Sequence, residues 1–288
     1  VDYGGLLLDF PGKATEIPFL QYNIHREITL QGKSEFLQIG CKGVEFFSVD
    51  NLWKKGRALL EEGLTIMGLL VPSSAIEQLL QFTHLLLEWN RRFNLTGYNQ
   101  EEEVISYLLL DALSALPSIE GTQLADIGTG AGIPGIPLKI VAPPLHLLLV
   151  EAHKKKCLFL QEVVGKLSLP GVTIVNERAE KVGHEPRFRE QFSTVVAKAL
   201  APLAVSLELT TPLLQEEGRA IYYKGKQYQK EIQEAQSALK KLSCTVEEVR
   251  SILLPFTDRT THLVLVRKHR KIPPTFPRRA GLPQKKPL

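Results

Sequence analysis

The chain has 288 residues, 44% hydrophobic and 23% charged, with a formal net charge of +4; this is ordinary globular usage and excludes a disordered or collagen-like chain. Its three cysteines (Cys41, Cys157, Cys244) are isolated and odd in number, which argues against a disulfide scaffold or a zinc module and fits a reducing, cytoplasmic compartment. No run of about eighteen apolar residues and no basic-then-apolar leader is present, so neither a membrane span nor a signal peptide is expected, and no metal site is read.

Residues 1–51 carry short apolar patches among glycines and polar residues with no sustained period. They read as an appendage outside the native fold. From Leu52 the period becomes helical, and 52–118 reads as a helical N-terminal region. Pro72-Ser73-Ser74 followed by Glu77 reads as a capping box opening a second helix. Ile76, Leu79, Leu80, Thr83, Leu86, Leu87 and Asn90 form its apolar stripe. A third helix is predicted from Glu101 to Leu116, stopped by Pro117.

After Gly121 strands and helices alternate. The predicted strands are Gln123 to Ile127, Leu147 to Val150, Val172 to Val175, Thr194 to Ala197, Gly218 to Tyr223 and Leu263 to Val266. Between them, helices are predicted over Pro134 to Ala142, Lys154 to Leu167, Pro202 to Leu214 and Tyr228 to Leu242. Such alternation predicts an α/β domain over 119–270, with a mainly parallel sheet covered on both faces. The remaining residues, 271–288, are rich in Pro and basic residues and read as an extended tail. From Arg267 onward there are eight Lys/Arg and no acid, leaving 27 basic against 31 acidic residues, a net of −4, in the rest. That asymmetry points to an anionic partner, nucleic acid first, or to a solvated tail that aids solubility.

The sharpest local feature is Asp126-Ile127-Gly128-Thr129-Gly130-Ala131-Gly132-Ile133-Pro134-Gly135. Alternate glycines after a strand permit positive φ and close approach of a ligand at the sheet's carboxyl edge. Residues 130–135 also match G-x-G-x-x-G, but the acid before the loop and the missing donor at Pro134 suit a cationic ligand without phosphates. S-adenosylmethionine has that character. Glu151, at the next strand end, is placed to accept hydrogen bonds from ribose hydroxyls. Ala179-Glu180 follow the third strand, where an adenine edge would lie.

Taken together, these residues resemble the bacterial 16S rRNA guanine-N7 methyltransferases, also called glucose-inhibited division protein B. The resemblance covers about 52–288. It rests on Leu86-Leu87-Glu88-Trp89-Asn90, Phe93-Asn94-Leu95-Thr96, Leu110-Asp111, the Asp126 to Pro137 loop, Val196-Ala197-Lys198-Ala199, Lys224-Gly225 and the tail from Pro277 to Leu288. It implies a seven-stranded, Rossmann-like class I S-adenosylmethionine-dependent methyltransferase fold with a helical N-terminal part. It also implies cofactor contacts at Gly128, Ile133, Ala179-Glu180, Lys198 and Glu151-Ala152-His153, which join Asp126, Gly130 and Gly132 from the loop itself. The implied partner is 16S rRNA or a small-subunit particle, and the implied target is nucleotide 527 in the 530 loop. A monomer is expected, with a native start near Leu52. Two departures stand out. Lys198 occupies the family's usual Arg position and lacks the planar fork. Tyr107-Leu108-Leu109 replace the usual Arg-His-Phe.

Guanine N7 has a lone pair and no proton, so methylation there requires alignment and desolvation but no general base. Asn94 is placed either to hydrogen-bond the guanine or to cap a helix, and Lys198 to position cofactor or base. Arg278, Arg279, Lys285 and Lys286 are the expected RNA contacts. Two other functions remain open: a nicotinamide-dependent oxidoreductase using Gly130 to Gly135, and a non-catalytic RNA-binding assembly protein.

Overall fold

A computed structural model of the chain describes residues 49–288. Most of the expected appendage therefore lies outside the described residues, and its last three residues belong to the first helix. The N-terminal region consists of α1 (Val49–Ile66) and α2 (Ser73–Phe93), followed by a composite third helix. That third helix is not continuous as expected. It runs as α3 (Glu101–Val104), a π turn (Ile105–Leu109) and α4 (Leu110–Leu113), then a 3-10 turn (Leu116–Ser118). The expected capping box at Ser74 is absent: Pro72 holds the N-cap position with no side-chain bond, and both serines lie inside the helix. A capping box forms instead at α3, between Gln100 and Glu103.

The seven strands are β1 (Gln123–Ile127), β2 (His146–Val150), β3 (Val172–Val175), β4 (Phe192–Lys198), β5 (Leu214–Lys224), β6 (Cys244–Leu253) and β7 (Thr260–Lys268). They form one sheet in the order β3-β2-β1-β4-β5-β7-β6. The first five are parallel, and β7 pairs antiparallel with both β5 and β6. Strand β6 escapes sequence reading because it is an edge strand carrying Glu247, Glu248 and Arg250, with no apolar alternation.

The helices between strands are α5 (Gly135–Val141), α6 (Lys154–Lys166), α7 (Ala179–Val182), α8 (Leu203–Thr210), α9 (Tyr228–Glu234) and α10 (Gln236–Lys241). A final short helix, α11 (Leu282–Lys285), lies in the tail. Side chains of β2 alternate between two cores: Leu147 and Leu149 join the one containing α2, α5 and α6, and Leu148 and Val150 join the one containing α8 and α10. That is why the strand reads as an unbroken apolar run. The strand order reverses between β1 and β4, and open α/β sheets bind ligands at the carboxyl edge of that switch point.

The tail is not extended. Arg189 donates to the Phe276 carbonyl at 2.8 Å and reaches those of Ile272 and Pro273. His184 Nε2 lies 2.7 Å from the Pro277 carbonyl oxygen. Ile272, Pro277 and Pro283 are buried. The basic stretch is also less free than its charge implies. Lys268 is fully buried against Glu190 and two carbonyls, and Arg267 is paired with Glu120 and Glu247.

Candidate active site

β1 ends at Ile127, and the chain turns through the glycine loop into α5. Gly128, Gly130 and Gly132 have φ of +69°, +61° and +81°, a region in which an L side chain is strained. Their surroundings differ. A Cβ on Gly128 would lie 2.6 Å from Leu200 Cδ1, and one on Gly132 would lie 2.7 Å from Ile136 Cγ1 and 2.8 Å from Leu160 Cδ2. One on Gly130 would meet nothing nearer than 3.9 Å. Gly128 and Gly132 let the loop pack, whereas Gly130 faces open space at the sheet edge. Ile133 is buried in the core, and its N–H donates to the Thr129 carbonyl, so it supports the loop from beneath.

Asp126 is fully buried. Its Oδ2 accepts hydrogen bonds from the Thr129 hydroxyl (2.7 Å) and the Gly135 N–H (2.8 Å). Burial pushes its carboxyl up to about 7, and those two hydrogen bonds oppose the shift. This side chain clamps the two ends of the loop through Oδ2, which leaves only Oδ1 for the expected cofactor contact. The same bond bears on the dinucleotide fingerprint. The Gly135 N–H is committed to Asp126, the Ile136 N–H to the Gly132 carbonyl, and Pro134 and Pro137 have none. No amide at the opening of α5 is left for a pyrophosphate.

Glu151 follows β2 and is buried. Its carboxylate accepts from the Gly130 N–H (3.0 Å) and the His153 N–H (2.8 Å), which ties the loop to the β2–α6 turn. His153 Nδ1 also lies 2.7 Å from Oε1, so of a carboxylate's about four lone-pair sites about one remains for a ligand hydroxyl. Ala152 and His153 are exposed. They line a cavity of about 650 Å3 with Asn176, Arg178, Lys181 and Ala280, within the ~300–1,000 Å3 of small-molecule sites. Ala179 and Glu180 begin α7. The Glu180 carboxylate accepts the Gly281 N–H at 2.8 Å, so its side chain holds the tail, which in turn supplies Ala280 to the cavity wall. Sequence reading assigned no cofactor role to Asn176 or Ala280; the tail's position depends on contacts about a hundred residues away.

At the end of β4, Lys198 Nζ lies 2.7 Å from Asp111 Oδ2, with side chains 13% and 1% exposed. The pair is in contact but not aligned as a hydrogen bond, so Lys198 Nζ, both Asp111 oxygens and Asp126 Oδ1 are buried without hydrogen-bond partners. Buried polar atoms of this kind await a polar ligand or remain costly. Asp111 arrives on the π turn's far side, and Tyr223 Oη fixes that segment by donating to the Ala112 carbonyl at 2.6 Å. A lone acid within the apolar stretch Leu108 to Leu113 was the signal for its role. Asn94 ends α2 with φ +51°. Its N–H bonds the Asn90 carbonyl, and its exposed side chain makes no hydrogen bond. The structure does not use that side chain as a helix cap.

The donor set suits a ligand with ribose hydroxyls and charged ends: a remaining lone pair at Glu151, the buried Asp111–Lys198 ion pair with no aligned hydrogen bond, and an open face at Gly130. A sheet in this order, ending in an antiparallel inserted strand and carrying such a loop at its switch point, defines a class I methyltransferase. Comparison with known proteins takes this further. The family described as rRNA small subunit methyltransferase G matches residues 75–263. The ribosomal RNA small subunit methyltransferase G of Thermoanaerobacter sp. is 40% identical over 237 residues, 81% of this chain and 99% of that protein. That of Caldanaerobacter subterraneus subsp. tengcongensis is 40% identical over 238 residues, 82% of this chain and 99% of that protein. The Carboxydothermus hydrogenoformans protein of the same name is 41% identical over 223 residues, 77% of this chain and 95% of that protein. The chain belongs to the rRNA small subunit methyltransferase G family.

Proposed function

We propose that this protein transfers a methyl group from S-adenosylmethionine to N7 of a guanine in 16S rRNA. Family membership supports the substrate class. The observation that carries the site is the open face at Gly130, bounded by Glu151 on one side and the Asp111–Lys198 pair on the other. S-adenosylmethionine, when bound, supplies an electrophilic methyl carbon on a sulfonium sulfur. Gly128, Gly130 and Gly132 shape the floor of its site, Glu151 takes a ribose hydroxyl, and Ala152-His153, Ala179 and the tail at Ala280 border the adenine. Ile133 and Asp126 act beneath the loop. Lys198, fixed by Asp111, and the free amide of Asn94 position the ligands.

Guanine N7 offers its lone pair without losing a proton, so the residues need only align it and keep water out. The base must reach the site unstacked, which favours a loop or an opened helix as substrate. Among the described residues no helix is long and apolar enough to cross a membrane, and no group of three His, Cys, Asp or Glu is placed to hold a metal. The tail cations Arg279, Lys285 and Lys286 are exposed and available to RNA. Arg278 is not, because its guanidinium is held bidentately by Glu208 at 2.6–2.8 Å.

The test is transfer of labelled methyl from S-adenosylmethionine to small-subunit rRNA, with mapping of the modified base. A Gly130→Val protein should stay folded and lose transfer. Binding of the nicotinamide cofactor instead, or RNA binding with no transfer, would select one of the two other functions.

A further inference from the structure

Most interior and half-buried cations of this protein are neutralised. Arg219 and Arg267 share Glu120 and Glu247, Lys224 pairs with Glu231, Lys268 with Glu190, and Arg278 with Glu208. One cluster is not. Arg91 and Arg92 close α2, and Lys154, Lys155 and Lys156 open α6. None of these five makes an ion pair within 4.0 Å among the described residues. Arg92 senses Glu162, but that carboxylate is held by Lys166 at 2.7 Å.

The lysines also sit against local physics. A helix N-terminus carries partial positive charge and favours acids in its first turn. Here the first turn of α6 has three lysines and no acid. A local rule broken without a compensating partner marks a site kept for function.

The two helix ends border one cavity of about 430 Å3, lined by Asn90, Arg91, Arg92, Phe93, Asn94 and Lys155. Phe93 is 40% exposed, with its ring centroid 5.1 Å from that of Trp89 and Lys155 Nζ 5.7 Å from its own. The floor is rigid: Asn90 Nδ2 donates to the Tyr98 carbonyl and to Asn99 Oδ1, both at 3.0 Å, and Asn90 Oδ1 accepts the Thr96 N–H. The start of α6 also reaches the glycine loop. Lys156 Nζ lies 3.9 Å from the place a Cβ on Gly130 would occupy.

We infer that the groove between the end of α2 and the start of α6 is a docking site for single-stranded RNA next to the methyl-transfer site. Arg91, Arg92 and Lys155 take successive phosphates, and Phe93 stacks a base flanking the target. Unneutralised cations beside an exposed aromatic are the recognition chemistry of a single strand, in which every base offers a stacking face. The inference rests on the methyltransferase reading only for the choice of RNA as the polyanion. It moves the main RNA contact from the tail, whose Arg278 is committed, to the groove.

The experiment measures binding of a short single-stranded oligoribonucleotide by anisotropy at several salt concentrations, with calorimetry of S-adenosylmethionine alongside. The triple variant Arg91→Ala/Arg92→Ala/Lys155→Ala should lose affinity about a hundredfold, and its salt slope should flatten by about two, because each phosphate contact to a single strand contributes about 0.7. Phe93→Leu should lose about tenfold with its slope unchanged. Both should keep wild-type S-adenosylmethionine affinity and melting temperature. Superimposable salt plots for wild type and triple variant, or full loss in Arg279→Ala/Lys285→Ala/Lys286→Ala with none in the groove, would overturn the inference. A wild-type protein that holds RNA in the groove yet transfers no methyl to small-subunit rRNA would sink the methyltransferase reading and leave the groove standing.

Discussion

Two segments border the cofactor cleft, and they are held in place by opposite means. The glycine loop is fastened within itself, where Asp126 bonds Thr129 and Gly135, and from the next strand end, where Glu151 bonds Gly130. The tail is fastened from far away: Arg189, Glu180, His184 and Glu208 reach it across 70 or more residues. The loop therefore announces itself in a ten-residue window, while the tail looks like loose, basic, proline-rich chain. The difference teaches that composition reports on a segment's own preferences and is silent about partners it meets only in the folded state.

The largest effect should come from the loop. Gly132→Val adds a branched side chain where a Cβ already lies within 2.8 Å of Ile136 and Leu160, at a φ of +81°. Overpacking and backbone strain together should cost about 3–5 kcal/mol, read as a fall in urea midpoint. Gly130→Val, which meets no such neighbours, should cost clearly less; equal losses would erase the distinction between packing and ligand-facing glycines.

The tail comes next. Glu208 is fully buried, and Arg278 is its ion-pair partner. Arg278→Ala strands that carboxylate and should cost about 3 kcal/mol. The double variant Glu208→Leu/Arg278→Leu should recover most of the loss, since removing both charges also removes the desolvation penalty. A tail that contributed only solubility would show no change in denaturant midpoint for either.

A smaller effect joins the two segments. Glu180→Gln weakens a charge-assisted bond to the Gly281 N–H and should cost about 1 kcal/mol. Hydrogen exchange at Gly281 should quicken, and S-adenosylmethionine affinity should fall a few-fold as Ala280 loosens from the cavity wall. Unchanged exchange would show the tail to be held without this contact.

A separate effect, outside that ranking, is one of pH. Burial raises the Asp126 carboxyl from 3.8 to about 7, so between these values the folded protein holds a proton that the unfolded chain has released. Stability from this group is present below pH ~4 and is lost as pH rises through about 7. Asp126→Asn should flatten the fall of melting temperature over that window. An identical slope in the variant would show the carboxylate ionised throughout.

Much of the fold was readable, for reasons visible in particular elements. β1 and β3 span the residues predicted for them, and the buried β2 shows no alternation because both faces are covered. β6 was missed because an edge strand of charged residues carries no period. The π turn at Ile105–Leu109 was missed because its residues are apolar enough to continue a helix. The loop geometry was readable: Gly128, Gly130 and Gly132 take the positive φ that alternate glycines after a strand permit. Asp126 was placed in the loop, but its clamp on Thr129 and Gly135 was not foreseen, since sequence shows an acid but not which way it points. The contacts of Lys198 with Asp111 and of Glu180 with Gly281 span 87 and 101 residues, and no local pattern encodes them.

The position of β7 has a consequence for the growing chain. β6 has no neighbour in the sheet except β7, which follows it in sequence and slots between it and β5. A nascent chain stopped before Thr260 leaves β5 as a bare edge and β6 unpaired, with Tyr222 and Ile221 lacking their cross-strand partners Val264 and Leu265. Chains fold from the N-terminus as they are made, at about 5–20 residues per second. The parallel half of the sheet and the glycine loop can thus form while the last strand is still being added. The tail wall at Ala280 comes later still. Synthesis itself sets the order in which the two sides of the cleft are built, and the tail side is finished last.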